Sequence, residues 1–332
     1  SLQERDLKIG LKRSRQRIMS SYKEGKMSFG ARALWVLCRA VAITPRWFHY
    51  GCLGGLVYFV MRYLVRYRRK LIIAQLTTSF PEKSKEEVAA ICNDYYHTLA
   101  QTVIGTMTLA GMSMEKRLQV LDVTLSDEVR KVVEGRDFVY MSSHHNFWEF
   151  AQFSGLRFEK HLTIFAYHPL SNKVWDELYY HLRVSKDGLP IPSSQLIRFF
   201  LEHRQSGVDG KRMLLGLIAD QNAAPKGEVH WYNFLNRPTI FFEGGEQLAL
   251  KFHLPVLYLG MSYVAPGRYK GEITLLYDGD EQVEKHEITE RYVRQLERDI
   301  LREPSRWMWS HRRWKFYPDP ETGELRCNRK GM

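Results

Sequence analysis

A short strand that ends in a cluster of titratable residues constrains the fold of this chain most strongly. Residues 137–150 read DFVYMSSHHNFWEF, in which the strand-like run Asp137–Met141 precedes two histidines, an asparagine and a glutamate. An apolar run of this kind is typical of a strand covered on both faces. Open α/β sheets present their chemistry at the carboxyl ends of such strands. The segment therefore predicts an α/β sheet with a functional site where this strand ends.

Downstream of residue 135 the chain alternates strand-like and helix-like runs. We expect strands at 137–141, 162–167, 188–191, 213–219, 256–264 and 272–277, and helices at 147–156, 172–184, 194–203, 245–252 and 288–301. Such alternation predicts an α/β fold in which helices flank a mostly parallel central sheet. A capping-box pattern at Ser84–Glu87 predicts an earlier helix that extends to about Leu99, followed by a second helical piece through about Leu109.

The region before the sheet divides into two parts. Residues 1–30 are polar and basic, and we expect a basic arm that is mobile or lies on a surface. Residues 31–70 are predicted to be a helical, membrane-associated segment. Their longest uncharged run, Trp47–Met61, is shorter than the roughly 20 apolar residues that a spanning helix needs. A tilted anchor, an interfacial hairpin and a buried core helix all fit this run. Residues 71–332 are predicted to form the α/β domain.

The net charge predicts an anionic partner. The chain has 49 Lys and Arg against 37 Asp and Glu, a formal net charge of +12. Nucleic acid, an acidic protein and an anionic membrane are all compatible with this excess. Trp and Tyr mixed with Arg and Lys favour a lipid headgroup boundary, with stacking on single-stranded nucleic acid as the alternative. Basic residues at Arg62, Arg66 and Arg68–Lys70 predict contact with an anionic cytoplasmic leaflet, or else a solvated helix face.

Two side chains after the first strand, His144 and Glu149, are candidates for acid–base chemistry. A neutral imidazole beside a carboxylate can act as a general base, with the carboxylate fixing its tautomer. No Ser or Cys nucleophile is evident beside them, so we expect a substrate hydroxyl to attack. Spacing does not choose between the two histidines, because on a regular helix His145 would be the neighbour of Glu149. One alternative is a zinc site that uses both histidines and Glu149, and the other is a purely structural polar cluster.

Several segments resemble, in the same order, those of one enzyme family. Ser143–Glu149 is similar to an H-x-G-N-W-E block that carries an H-x4-D/E signature, with His144 and Glu149 at the paired positions. Similar blocks lie at residues 67–70, 79–82, 167–172, 219–221, 234–244 and 304–315. Together they resemble the bacterial lipid A secondary acyltransferases, the lauroyl/myristoyl transferase family of the lysophospholipid-acyltransferase superfamily. The first block departs from the pattern by a second histidine and by Asn146-Phe147 in place of Gly-Asn.

This resemblance implies an O-acyltransferase at the cytoplasmic face of the bacterial inner membrane. The donor would be acyl carrier protein, or else acyl-CoA, and the acceptor a hydroxyl of an anionic membrane lipid such as a lipid A precursor. No further cofactor, no metal ion and no nucleic-acid partner are expected. An acyltransferase for another bacterial lipid, an aminolipid or a lysophospholipid, is the alternative within this chemistry. A non-catalytic protein that binds an anionic membrane or nucleic acid is the alternative outside it.

The resemblance also implies roles for residues near the first strand. His144 would remove the hydroxyl proton with the help of Glu149. Arg183, or backbone N–H groups near Asn146, would donate hydrogen bonds to the oxyanion. Arg183 would alternatively hold a phosphate of the substrate. Its structural alternative is an ion pair with Asp176 or Asp187.

Later blocks add further expectations. Asp220 and Gln221 follow a predicted strand and are expected to line the same cleft as substrate-binding residues, with a plain turn cap as the structural alternative. The Trp-rich tail is expected either to contact lipid headgroups or to pack in the core; its tryptophans are Trp307, Trp309 and Trp314. We expect His311, within this tail, to be structural.

Overall fold

Strands occupy most of the positions that the sequence predicts. The computed structural model describes residues 27–184, 188–223, 225 and 228–328. The strands of this part of the chain are β1 (Leu121–Val123), β2 (Phe138–Ser142), β3 (His161–Tyr167), β4 (Gly188–Pro192), β5 (Arg212–Ile218), β6 (Tyr232–Phe234), β7 (Arg237–Thr239), β8 (Val256–Ala265), β9 (Arg268–Tyr277), β10 (Phe316–Pro318) and β11 (Leu325–Cys327).

Seven of these strands form one sheet, in the order β1-β9-β8-β2-β5-β3-β4. Within it β8 and β9 pair antiparallel, whereas the other neighbours pair parallel. The prediction of an α/β fold with a mostly parallel central sheet is confirmed. β2 lies inside the sheet and is buried along its whole length, as expected of a strand covered on both faces.

Helices pack on both faces of the sheet. Val139 and Met141 of β2 belong to one hydrophobic core cluster, and Phe138 and Tyr140, which point to the opposite face, belong to another. The α-helices of the described residues are α1 (Phe29–Ile43), α2 (Gly54–Phe59), α3 (Arg69–Ser79), α4 (Lys85–Leu109), α5 (Met114–Val120), α6 (Asp127–Val133), α7 (Ala151–Ser154), α8 (Lys173–Arg183), α9 (Leu196–His203), α10 (Gly244–Phe252) and α11 (Glu287–Arg302).

The predicted capping box begins α4. The backbone N–H of Glu87 donates to Ser84 Oγ at 3.1 Å, and the Glu87 carboxylate accepts from the Ser84 N–H at 2.7 Å. The helix continues past its predicted end near Leu99 to Leu109. In this extension a Cβ on Gly105 would lie 2.8 Å from the Phe147 ring. Glycine therefore lets α4 support the segment that follows β2.

The predicted helix at 147–156 is not continuous. Residues Trp148–Phe150 form a 3₁₀ turn, α7 spans only Ala151–Ser154, and a second 3₁₀ turn covers Gly155–Arg157. Gly155 begins the second of these turns and packs tightly on the sheet, since a Cβ there would lie 2.2 Å from the side chain of Thr163 in β3. The short turns change the direction in which the side chains after β2 project.

The amino-terminal region is helical, as predicted, between residues 29 and 64. It comprises α1, a π-helical turn at Trp47–Leu53, α2 and a second π-helical turn at Val60–Leu64. α1 packs on α4 and α8, and α2 packs on α4. Over the described stretches of the chain, the helices fall short of the length and apolarity required to cross a bilayer. The predicted basic arm at 1–30 lies almost wholly outside the described residues, which begin at 27.

Candidate active site

Strands β2 and β5 bring together two predicted residues that are distant in sequence. The strands are parallel neighbours whose carboxyl ends are in register, with Ser142 opposite Ile218. The chain leaves β2 toward His144 and leaves β5 toward Asp220. Since parallel strands end at the same edge of a sheet, the two side chains meet there.

Asp220 holds His144 by two hydrogen bonds. The backbone N–H of His144 donates to Asp220 Oδ2 at 2.9 Å, and its Nδ1 lies 2.7 Å from Asp220 Oδ1. This carboxylate assigns the proton to Nδ1 and leaves Nε2 as an acceptor. The Gln221 amide nitrogen donates to Nε2 at 3.1 Å. The His144 side chain is 16% exposed and that of Asp220 only 1%. The imidazole is therefore accessible to a substrate, whereas the carboxylate is buried.

The carboxylate of Asp220 is ionised despite its burial. Burial raises its pKa, but the charge and hydrogen bonds of His144 and the indole N–H of Trp307 outweigh this effect and hold the pKa at about 2. The Trp307 indole donates to Oδ2 at 2.8 Å. A negative charge therefore lies directly behind the imidazole ring, where it can stabilise the imidazolium that forms during proton transfer.

Glu149 does not contact His144, so this part of the sequence prediction is wrong. Its carboxylate accepts two hydrogen bonds from Arg183, from Nε at 3.0 Å and from Nη2 at 2.6 Å. The 3₁₀ turn after Phe147 directs Glu149 toward the carboxyl end of α8, where Arg183 lies. Arg183 thus pairs with Glu149 in place of Asp176, the partner expected in the structural alternative. The other expected partner, Asp187, lies outside the described residues.

The Arg183 guanidinium is a stable cation. Burial lowers its pKa, but the charge of Glu149 and the hydrogen bonds to it outweigh this effect and raise the pKa above its ordinary value. The guanidinium also lies over the Tyr179 ring, 4.9 Å from its centroid. Because its side chain is still 22% exposed, it can attract an anionic group of a substrate.

His145 and Asn146 form the base of the loop after β2. Asn146 has φ of 59°, its backbone N–H donates to the Arg306 carbonyl at 2.8 Å, and its amide donates to the Met261 carbonyl at 2.8 Å. His145 Nε2 lies 3.2 Å from the Glu303 carbonyl, and burial lowers its pKa, so it is neutral. Both side chains are buried. Both side chains therefore belong to the scaffold of this loop, and the substrate contact predicted for Asn146 stays a prediction.

The zinc alternative finds no support in the part of the chain that the structure describes, where no group of three or more His, Cys, Asp or Glu side chains could hold a metal ion. His311 is largely buried, and burial lowers its pKa to about 4, so it is neutral. Its Nε2 lies 3.3 Å from the backbone nitrogen of Asn222, which agrees with the structural role expected for it.

The Trp-rich tail contributes contacts that sequence reasoning did not assign. Trp307, Trp309 and Trp314 are buried, so they pack in the core and do not face headgroups. Trp307 also pairs with His145 as an isolated antiparallel bridge. The sequence marks this segment by its density of tryptophan and by its resemblance to a family block, and neither indicates which indole reaches the carboxylate.

Comparison with known families gives one match to a family model. A family model described as bacterial lipid A biosynthesis acyltransferase matches residues 22–316, which includes the whole seven-stranded sheet. No curated protein matches the chain. The matched range includes two hydrogen-bonded groups of side chains. One is His144 with Asp220 and Gln221, and the other is Glu149 with Arg183.

Proposed function

The chain belongs to the bacterial lipid A biosynthesis acyltransferase family and is an acyltransferase enzyme, and we propose that it transfers a fatty acyl chain from acyl carrier protein, or from acyl-CoA, to a hydroxyl of a lipid A precursor. The observation that carries the chemistry is His144, whose Nδ1 is held by Asp220 and whose Nε2 is left as an acceptor. A base in this state matches an acyl transfer that begins with removal of a hydroxyl proton.

The reaction follows from the two ring nitrogens. As the acceptor oxygen attacks the thioester carbonyl carbon, its proton passes to His144 Nε2, and the buried Asp220 carboxylate stabilises the imidazolium. The tetrahedral intermediate then expels the thiol sulfur, breaking the carbon–sulfur bond. The imidazolium returns the proton to the departing thiolate, so the products are an ester and a free thiol. The donor thioester supplies the chemistry, and no further cofactor takes part.

Gln221 and Arg183 supply the polar contacts of the proposal. The Gln221 amide donates to Nε2 at the position that the acceptor hydroxyl must take. The hydroxyl displaces this contact, after which the same N–H is a donor for the oxyanion. Arg183, held by Glu149, is the cation for a phosphate of the acceptor. Glu149 then acts by positioning Arg183.

The amino-terminal helices support a membrane-bound acceptor. Between residues 29 and 65 the exposed large apolar side chains are Phe29, Val36, Leu37, Ile43, Trp47, Leu56, Phe59, Tyr63, Leu64 and Val65. Basic side chains follow at Arg66 and Arg68–Lys70. Apolar side chains beside basic ones favour insertion at an anionic leaflet, and we propose that the cytoplasmic face of the inner membrane is that surface. The net charge of +12 also suits the acidic acyl carrier protein.

Two variants of adjacent histidines test the proposal. Purified enzyme is assayed with radiolabelled acyl carrier protein thioester and a lipid A precursor in vesicles. His144→Ala is expected to lower the rate by at least about 10³-fold because it removes the base. His145→Ala, the matched control, is expected to keep a measurable share of activity at a temperature where both variants are folded. Loss of transfer in His145→Ala alone would contradict the assignment of the base.

The same assay separates the acceptors. A lysophospholipid and an aminolipid replace the lipid A precursor in parallel reactions, with acyl-CoA as a second donor. We expect transfer to the lipid A precursor at the highest kcat/KM. Efficient transfer to another lipid together with none to the precursor would retain the acyltransferase chemistry and overturn the acceptor. In a deletion strain we correspondingly expect a lipid A species that lacks one acyl chain.

A further inference from the structure

Asp220 is held from behind by a second segment of the chain. Its Oδ1 faces His144 Nδ1, whereas its Oδ2 accepts from the His144 backbone N–H and from the Trp307 indole N–H, at 2.9 and 2.8 Å. Two donors from different segments therefore fix the rotation of the carboxyl group. With Oδ2 held in this way, Oδ1 remains directed at the imidazole.

The Trp307 indole is itself held by other aromatic rings. Its side chain is 2% exposed and lies edge-on to Trp309, with ring centroids 4.8 Å apart. Phe234 and Trp314 complete the cage at 5.7 and 6.0 Å. These three rings enclose the buried indole and hold its plane, so its N–H is a donor of fixed direction.

The backbone of this segment is tied to the loop that carries the base. The Arg306 carbonyl accepts from the Asn146 N–H at 2.8 Å. On the other side, the Gln75 side chain in α3 donates to the carbonyls of Trp309 and His311, and accepts from the N–H of Arg313 at 2.9 Å. The indole, the carboxylate and the histidine loop thus form one connected unit.

We propose that Trp307 is a positioning residue for acyl transfer, whose indole N–H keeps the Asp220 carboxylate aimed at His144. The proposal rests on the proposed function of His144 as the base. Trp307 does not touch the substrate in this scheme. It acts through the direction and charge of Asp220, so its loss must reduce kcat while the KM for donor and acceptor stays close to that of the wild type.

A matched pair of variants tests the proposal. Trp307→Phe removes the N–H that faces Asp220. Trp314→Phe, the control, removes an equally buried N–H from the same cage, one that donates to Thr239 Oγ1 at 2.8 Å. We expect Trp307→Phe to lower kcat roughly 10- to 100-fold, as for loss of a hydrogen bond to a charged group, and Trp314→Phe to change it by less than about threefold. Equal kcat losses in the two variants would overturn the proposal.

A second variant removes ambiguity from folding. If Trp307→Phe does not fold, 3-benzothienylalanine incorporated at position 307 keeps the bicyclic ring and replaces only the N–H by sulfur; the same kcat loss is expected. In an Asp220→Asn background, the effect of Trp307→Phe on kcat should shrink to less than about twofold, because both changes act through one carboxylate. Full additivity would overturn the proposal. Wild-type activity in His144→Ala would instead refute the proposed function, whereas an inactive His144→Ala with indistinguishable Trp variants would refute this inference alone.

Discussion

Two carboxylates lie near the end of β2, and the protein uses them differently. Asp220 follows β5, is buried and faces the imidazole of His144. Glu149 comes from the same loop as His144, yet it binds the guanidinium of Arg183 in α8. The carboxylate that is close in sequence thus holds a cation, and the one that is distant holds the base. Proximity along the chain is a poor guide to the partner of a catalytic histidine.

The two pairs differ in the hydrogen-bonding capacity that they leave for a substrate. Asp220 and His144 leave one imidazole nitrogen for the substrate, so the pair is suited to proton transfer. Glu149 and Arg183 satisfy each other by two parallel hydrogen bonds, an arrangement suited to fixing a planar cation in place. In the proposed function the first pair therefore serves the reaction, and the second serves the position of the substrate.

The largest expected effect comes from Asp220→Asn. The amide keeps the shape of the carboxylate, but its N–H₂ can face Nδ1 and stabilise the wrong tautomer of His144. We expect kcat to fall by about 10³- to 10⁴-fold, with little change in the KM of the acceptor. Steady-state kinetics with the acyl carrier protein thioester measures this. A loss below tenfold would remove Asp220 from the machinery and reopen the role of Glu149.

Local patterns predicted the elements of this fold well, because hydrophobic periodicity and capping act over a few residues. The run at 213–219 corresponds to β5, and the capping box at Ser84 begins α4 as predicted. His144, Asp220 and Gln221 were each recognisable after strands. What the sequence could not indicate was their pairing, since β3 and β4 separate β2 from β5 along the chain although β2 and β5 are neighbours in the sheet.

Two features near the site have a tertiary cause. A regular helix is predicted from residue 147, but the chain forms a 3₁₀ turn at Trp148–Phe150, which directs Glu149 toward Arg183 and away from His144. Asn146 is assigned to the substrate from its place in the motif, and in the structure its left-handed backbone and buried amide belong to the loop scaffold. Neither contact is encoded in the spacing of the motif.

A smaller effect is expected from Glu149→Gln. The substitution leaves Arg183 with a neutral partner. The guanidinium plane is then fixed less firmly, and the base is unchanged. We expect kcat/KM to fall roughly 10- to 100-fold, mainly through KM of the acceptor, and the free energy of unfolding to fall by about 1–3 kcal/mol. The measurements are initial rates over a range of acceptor concentrations and urea unfolding.

The double variant Glu149→Gln with Arg183→Gln is the control for this comparison. Without a half-buried cation to satisfy, stability should recover in part while acceptor binding stays weak. Glu149→Gln could instead lower kcat as much as Asp220→Asn does, with KM unchanged. That result would mean that Glu149 acts on His144, and it would contradict the separate roles of the two pairs.

The smallest expected effect is on the free energy of unfolding at low pH, and it tests the ionisation of Asp220. Since the folded pKa of Asp220 is about 2, below the unfolded value near 3.9, its ionised form contributes roughly 2 kcal/mol of stability above pH 4, which is lost as the pH falls toward 2. The folded pKa of His311 is about 4, so protonation of this histidine destabilises the fold in a higher pH window, as the pH falls from about 6.5 to 4. We expect the difference in unfolding free energy between wild type and Asp220→Asn to shrink between pH 4 and pH 2.5, as measured by urea unfolding. A difference that stays constant over this window would mean that the carboxylate is not held ionised by His144 and Trp307.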